Sequence, residues 1–112
     1  MDVKIDNIDG LYVIHSNGRL DASNASALDE KMRDILSQNP DKIVVSLKGL
    51  EYVSSAGLRV FLTAAKEMKK TSGKLAFAEP SEAVFKVLKM SGLDTILKIY
   101  NTMDEAVKSL QH

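Results

Sequence analysis

The chain has no cysteine among its 112 residues, which excludes disulfides, thiolate metal sites and thiol nucleophiles together. This absence agrees with a reducing compartment, and we expect a cytoplasmic protein. No stretch approaches 18 uncharged apolar residues, and residues 1–6 have neither the basic nor the apolar region of a signal peptide. We therefore expect no membrane span and no cleaved leader.

An excess of charge is also missing, because 15 basic residues balance 15 acidic ones. A chain with zero net charge has no net field to attract nucleic acid or an anionic membrane. The lysine-rich stretch near residue 70 lacks interleaved aromatic residues or arginines for stacking bases, and it suits the C-terminal end of a helix. We expect a partner that recognises a local surface, and neither nucleic acid nor membrane.

Motifs for catalysis and cofactor binding are absent as well. The six glycines are scattered and form neither a P-loop nor a dinucleotide fingerprint. The two histidines, His15 and His112, are too far apart in sequence to suggest a metal pair or a local Ser-His dyad. We therefore expect no catalytic residue, no cofactor, no metal and no enzyme activity.

What is present is an alternation of strand and helix patterns. Apolar runs at 3–5 and 11–15 around Asp9-Gly10 predict a hairpin. The β-branched run at 43–47 predicts a central strand covered on both faces, and runs at 74–78 and 96–100 predict two more strands. Three- and four-residue apolar steps predict helices at 25–36, at 56–70 and from Ser81 to Ser91, and a capping box of Thr102 and Glu105 predicts a last helix.

This order predicts one α/β domain over residues 1–112. Its mixed sheet would have four to five strands, with an N-terminal hairpin, then parallel strands with helices packed on the sheet. Functional residues of such sheets favour the loops beyond the carboxyl ends of parallel strands. The segment from Val53 to Gly57 follows such a strand.

Two adjacent serines at the start of a helix are the main functional signal. Ser54 is predicted to cap the helix, which stabilises it by about 1 kcal/mol. Ser55, Ala56 and Gly57 are small in series and are expected to leave the first turn open to a backbone or a phosphate. Arg59 opposes the helix dipole, and a partner carboxylate or a phosphate on Ser55 would compensate it.

The chain resembles, over essentially its whole length, the anti-sigma factor antagonists of bacteria, which are stand-alone STAS domains. Two segments carry the resemblance: residues 18–24, GRLDASN, and residues 43–60, IVVSLKGLEYVSSAGLRV. It implies a binding module that, when unphosphorylated, binds a serine-kinase anti-sigma factor and frees a sigma factor to regulate transcription. The kinase would phosphorylate it from ATP, and a PP2C-type phosphatase would restore it. Sequence leaves the oligomeric state open.

The phosphorylation-site segment departs from the family pattern, Asp-Ser-Ser/Thr-Gly. Ser54 stands at the aspartate position and Ala56 at the second hydroxyl position. The resemblance therefore implies Ser55 as the phosphoacceptor, with Ser54 as second choice. The partner-binding residues that it implies are Asp21, Ser54, Ser55, Gly57, Leu58 and Arg59.

Two other functions remain open. A STAS adaptor that is never phosphorylated would use Ser54 only as a helix cap, with Ala56 marking a lost site. An enzyme that binds a ligand phosphate at the open turn would need a base or an activated nucleophile, which the sequence does not supply. Asp21 is interpreted either as a partner contact or as a cap of the first helix.

Overall fold

The computed structural model describes residues 1–111, which form a five-stranded sheet in the order β1-β2-β3-β4-β5. The strands are β1 (Asp2–Ile8), β2 (Leu11–Leu20), β3 (Lys42–Val53), β4 (Lys74–Ala78) and β5 (Ile99–Tyr100). The helices are α1 (Ala25–Leu36), α2 (Ser55–Lys70), α3 (Glu82–Met90) and α4 (Met103–Ser109), and a 3₁₀ turn spans Leu93–Thr95. The first two strands are antiparallel and all later pairs are parallel, as the sequence predicts.

The predicted hairpin turns at the predicted residues. Asp9 and Gly10 have φ of 52° and 89°, and positive φ at both central residues matches the twist of the flanking strands. The Asn7 side chain accepts a hydrogen bond from the Gly10 N–H at 3.1 Å. The Asp-Gly pair therefore sets the register in which Ile5 lies opposite Ile14.

Both faces of β3 are covered, as its apolar run predicts. Ile43, Val45 and Leu47 lie in the larger core, beneath α1, α2 and α3. Val44 faces the other side, where it joins Ala106 and Leu110 of α4 in a smaller cluster. Both opposite faces of this strand therefore pack on helices, which explains why its residues are apolar without alternation.

Strands β2 and β3 run further than the sequence predicts. The apolar patterns end at residues 15 and 47, whereas the strands end at Leu20 and Val53. Two register shifts, between His15 and Asn17 and between Gly18 and Arg19, place extra residues in β3. Such bulges change which face a residue occupies, so the last buried residues of β3, Leu47, Leu50 and Val53, recur every third position and the period-2 signal is lost there.

The predicted strand at 96–100 is wrong in its first half. The main chain makes a turn there, in which the Leu97 N–H donates to the Leu93 carbonyl at 2.8 Å. This turn buries Leu93 and Leu97 on one side. An extended chain would also place residues four apart on one side, but it would lack the local hydrogen bond. Only Ile99 and Tyr100 remain as strand β5.

The last two helices begin at side-chain caps. Ser81 Oγ accepts from the Val84 N–H at 3.1 Å, and Thr102 Oγ1 accepts from the Glu105 N–H at 3.1 Å. The predicted capping box differs in one hydrogen bond. The Glu105 carboxylate accepts from the Thr102 hydroxyl at 3.0 Å, whereas in a capping box it accepts from the N-cap backbone N–H. The helix starts were therefore predictable from local chemistry.

Candidate functional site

The carboxyl ends of β2 and β3 lie side by side and bring two loops together. Leu20 is the register partner of Val53, and the Ser54 N–H donates to the Leu20 carbonyl at 2.9 Å. The loop at residues 21–24 and the start of α2 therefore share one edge of the sheet. This is the edge at which parallel α/β sheets usually carry their binding residues.

Ser54 is the N-cap of α2, as predicted. Its backbone is extended, with φ of −93° and ψ of 174°, and its Oγ accepts from the Gly57 N–H at 3.4 Å. Its carbonyl accepts the first helical hydrogen bond, from the Leu58 N–H at 2.9 Å. The Ser54 hydroxyl is thus engaged in starting the helix.

Ser55 is the first residue of α2 and is exposed to solvent. Within residues 1–111 its hydroxyl makes no hydrogen bond. The amides of Ser55 and Ala56 have no helical partner, because the first donors of any helix lack one. An unengaged hydroxyl therefore stands beside free N–H groups at the positive end of the helix dipole.

Arg59 lies one helical turn after Ser55, and residues four apart are neighbours on a helix surface. Its side chain is exposed, and α2 has no acidic residue in its first turn. Within the described part of the chain, no carboxylate lies within 4.0 Å of the Arg59 guanidinium. The helix start is therefore a local concentration of positive potential next to the Ser55 hydroxyl.

Gly57 and Leu58 point into the protein, away from this surface. A Cβ on Gly57 would lie 2.6 Å from Leu20 Cγ and 2.9 Å from Val53 Cγ2, so the missing side chain allows α2 to approach the strand ends. Leu58 is only 8% exposed. The missing Gly57 side chain therefore allows close packing on the strand ends, and the expectation that it opens the turn to a ligand is wrong.

Asp21 organises the neighbouring loop. Its Oδ1 accepts from the backbone N–H of Ser23 at 3.0 Å and from the Ser23 hydroxyl. The Asp21 N–H in turn donates to Asn24 Oδ1 at 2.9 Å, and Asn24, not Asp21, stands at the N-cap of α1. The carboxylate therefore stabilises an Asx turn before the helix, which differs from the capping interpretation.

The hydrogen bonds from Ser23 lower the pKa of Asp21 below its ordinary value of 3.8. A carboxyl with a lowered folded-state pKa contributes stability above its unfolded-state pKa and loses it as the pH falls through the folded-state value. We therefore expect Asp21 to titrate below 3.8 and Ser23→Ala to move its pKa upward. A carboxyl NMR titration measures both, and an unchanged pKa in the variant would contradict the assigned cause.

Two residues at this edge escape the sequence analysis. The Arg19 guanidinium carbon lies 4.3 Å from the centre of the Tyr52 ring, an attractive cation-π arrangement. The side chains are neighbours because β2 and β3 pair at this position. The only sequence feature that could have indicated this pair is the tyrosine two residues before Ser54.

A shallow depression of about 330 Å³ lies between α1 and α2, beside the Ser55 turn. Arg59 and Thr63 line it from α2. Asp29 and Arg33 line it from α1, where the Arg33 Nε donates to Asp29 Oδ2 at 2.8 Å. The ion pair raises the pKa of Arg33. Charged groups of both signs therefore line this depression.

Within residues 1–111, no three His, Cys, Asp or Glu side chains are grouped so that they could hold a metal ion. None of the helices described is long and apolar enough to cross a membrane.

Comparison with known proteins identifies relatives that span the chain. The STAS domain profile matches residues 2–106. BtrV of Bordetella bronchiseptica, provisionally assigned as an anti-sigma factor antagonist, is 30% identical over 99% of this chain and 96% of its own. The anti-sigma-B factor antagonist of Bacillus subtilis is 33% identical over 73% of this chain and 74% of its own.

A solved structure agrees with these relatives. The crystal structure of a Thermotoga maritima protein, also provisionally assigned as an anti-sigma factor antagonist, superposes with a TM-score of 0.93. It is 28% identical and covers 98% of this chain and 95% of the other. The chain therefore belongs to the STAS domain family and, within it, to the anti-sigma factor antagonists.

Proposed function

We propose that this protein is a phosphorylation-switched antagonist of a serine-kinase anti-sigma factor, with Ser55 as the phosphoacceptor. In its unphosphorylated form it binds the anti-sigma factor, which releases a sigma factor and so regulates transcription in the cytoplasm. The observation that supports this best is the exposed Ser55 hydroxyl, without a hydrogen bond within residues 1–111, at the positive start of α2.

The chemistry belongs to the partners. The kinase transfers the γ-phosphoryl group of ATP to Ser55 Oγ, so that the bond to the β-phosphate oxygen breaks, ADP leaves and the hydroxyl proton is released. A PP2C-type phosphatase hydrolyses the phosphoester and restores the hydroxyl. The antagonist supplies only an accessible nucleophile and the surface around it.

The location of Ser55 suits a switch that acts on an interface. A phosphate adds about −1.5 to −2 charges at neutral pH. Free amides at the helix start and Arg59 one turn later would accept this charge within the domain. A partner that presents apolar surface or carboxylates there would lose affinity through desolvation and like charge. We infer release of the partner with little refolding.

The partner surface that we propose consists of Asp21, Ser54, Ser55 and Arg59, at the adjoining carboxyl ends of β2 and β3. Gly57 and Leu58 contribute by holding α2 against Leu20 and the core. A STAS adaptor that is never phosphorylated remains a second candidate, because Ser54 functions as a cap and Ala56 has no hydroxyl.

Intact-mass measurement after incubation with ATP and the cognate kinase separates the two candidates. We expect one phosphate on the parent protein and on Ser54→Ala, and none on Ser55→Ala. Ser37→Ala, which removes a hydroxyl at the opposite end of α1 from the site, is the matched control and should accept the phosphate. An unmodified parent would refute the switch and favour the adaptor, and phosphate on Ser55→Ala would refute the residue assignment.

A further inference from the structure

A cavity of about 440 Å³ lies at the β4 edge of the sheet, between α2, α4 and the turn before β5. Met68 lines it near the end of α2. At a rise of about 1.5 Å per residue, Met68 stands roughly 20 Å from Ser55 along the helix. The cavity is therefore separate from the site at the start of α2.

The floor of this cavity is apolar. Its side chains come from every element around it and belong to, or pack against, the two hydrophobic cores. Ile96, which is 58% exposed, stands at its mouth. The floor is formed by Met68, Leu75, Phe77, Leu97, Tyr100 and Leu110.

A main-chain donor faces the cavity because β5 is short. The Lys74 N–H points toward β3 and donates to the Asp41 carbonyl at 2.8 Å. The Phe77 N–H points the other way and donates to the Lys98 carbonyl at 2.8 Å. Successive N–H groups of a strand point to opposite sides, so the Leu75 N–H points toward β5. That strand pairs only with the last two residues of β4, and within residues 1–111 the Leu75 N–H has no acceptor there.

Three lysines surround the opening, and none of the lining residues is acidic. Lys69 comes from the end of α2, Lys74 from the start of β4, and Lys98 from the turn before β5. Within residues 1–111, no carboxylate lies within 4.0 Å of any of these ammonium groups. Cationic groups above an apolar floor complement a ligand with a negative end and an apolar body.

We propose that this cavity binds a small organic anion, a carboxylate attached to an apolar chain or ring. The carboxylate would accept from the Leu75 N–H and from Lys74 or Lys98, and the apolar part would cover the floor. The volume lies within the range of about 300 to 1,000 Å³ that is typical of small-ligand sites. One free N–H is too short an edge for an added peptide strand, which needs several successive pairings.

Octanoate and its uncharged analogue 1-octanol test this proposal in ¹H-¹⁵N NMR titrations of the full chain. We expect saturable shifts for octanoate at the amides of Leu75, Phe77 and Lys98. The double variant Lys74→Gln/Lys98→Gln should weaken octanoate binding about tenfold, because hydrogen bonds to charged groups are lost. Lys86→Gln/Lys89→Gln, which removes two exposed lysines of α3 outside the cavity, is the charge-matched control and should leave affinity unchanged.

A second variant, Ala65→Phe, adds a ring at the cavity wall and should abolish octanoate binding while the spectrum stays dispersed. The proposal is overturned if octanoate produces no saturable shift, if the shifts lie elsewhere, or if 1-octanol binds as tightly. Equal affinity of the parent and the double lysine variant would also overturn it. Phosphorylation of Ser55 does not enter this experiment, so its result is independent of the proposed switch.

Discussion

Replacing Ser55 with glutamate is expected to weaken binding to the anti-sigma factor about 100-fold, which corresponds to about 2.7 kcal/mol of binding free energy. The carboxylate places a permanent charge at the exposed start of α2, where a bound partner would remove water from it. An unpaired charge, or like charges brought together in an interface, costs several kcal/mol. The phosphorylated protein, which carries more charge, should bind at least as weakly.

The stability of this variant distinguishes loss of an interface from loss of the fold. A carboxylate at a helix N-terminus is favourable by about 0.3 to 1 kcal/mol, so Ser55→Glu should unfold at the same or higher urea concentration than the parent. Ala83→Glu adds the same charge to the exposed first turn of a different helix, α3, and serves as the control. Calorimetric affinities that are equal for Ser55→Glu and Ala83→Glu would contradict release by charge.

The Gly57→Ala variant is expected to lose about 1 to 3 kcal/mol of unfolding free energy. In an unobstructed helix the same change is favourable by up to about 1 kcal/mol. Here the new Cβ would meet Leu20 Cγ at 2.6 Å, Leu20 Cδ2 at 2.8 Å and Val53 Cγ2 at 2.9 Å. Leu20 is fully buried and cannot swing away into solvent, so the clash outweighs the gain in helix propensity.

A double-mutant cycle tests this cause. Leu20→Ala creates its own cavity and lowers stability, but it also removes the two nearest atoms. The cost of Gly57→Ala should therefore fall by at least about 1 kcal/mol in the Leu20→Ala background, as expected for residues in direct contact. Urea denaturation measures all four proteins, and strictly additive costs would show that the clash is not the cause.

Ser55 and Gly57 lie on the outer and inner sides of one helical turn. Ser55 faces solvent and Gly57 faces the ends of β2 and β3, so a switch at the first position depends on close packing at the second. If Gly57→Ala moves the start of α2 outward, partner binding should fall even though no proposed contact residue has changed. The position of α2 thus links the core of the domain to its proposed interface.

The fold class, the element order and the local starts of the helices follow from patterns within the amino-acid sequence. Periodicity reports which residues share a face, and caps and turns are set by chemistry within four residues. For this reason the Asp9-Gly10 turn and the caps Ser54 and Thr102 were predicted correctly. The family resemblance was equally readable, because residues 43–60 preserve a continuous segment.

Features that depend on the register between distant segments become visible only in the folded chain. The bulges that extend β2 and β3 shift the exposed face, and they bring Arg19 over Tyr52. Gly57 faces inward because Leu20 and Val53 lie beneath the first turn of α2. The cavity, with a Leu75 N–H that has no acceptor within residues 1–111, exists because β5 pairs only with the last two residues of β4. Contacts of this kind join residues far apart in sequence, so no local pattern in the chain encodes them.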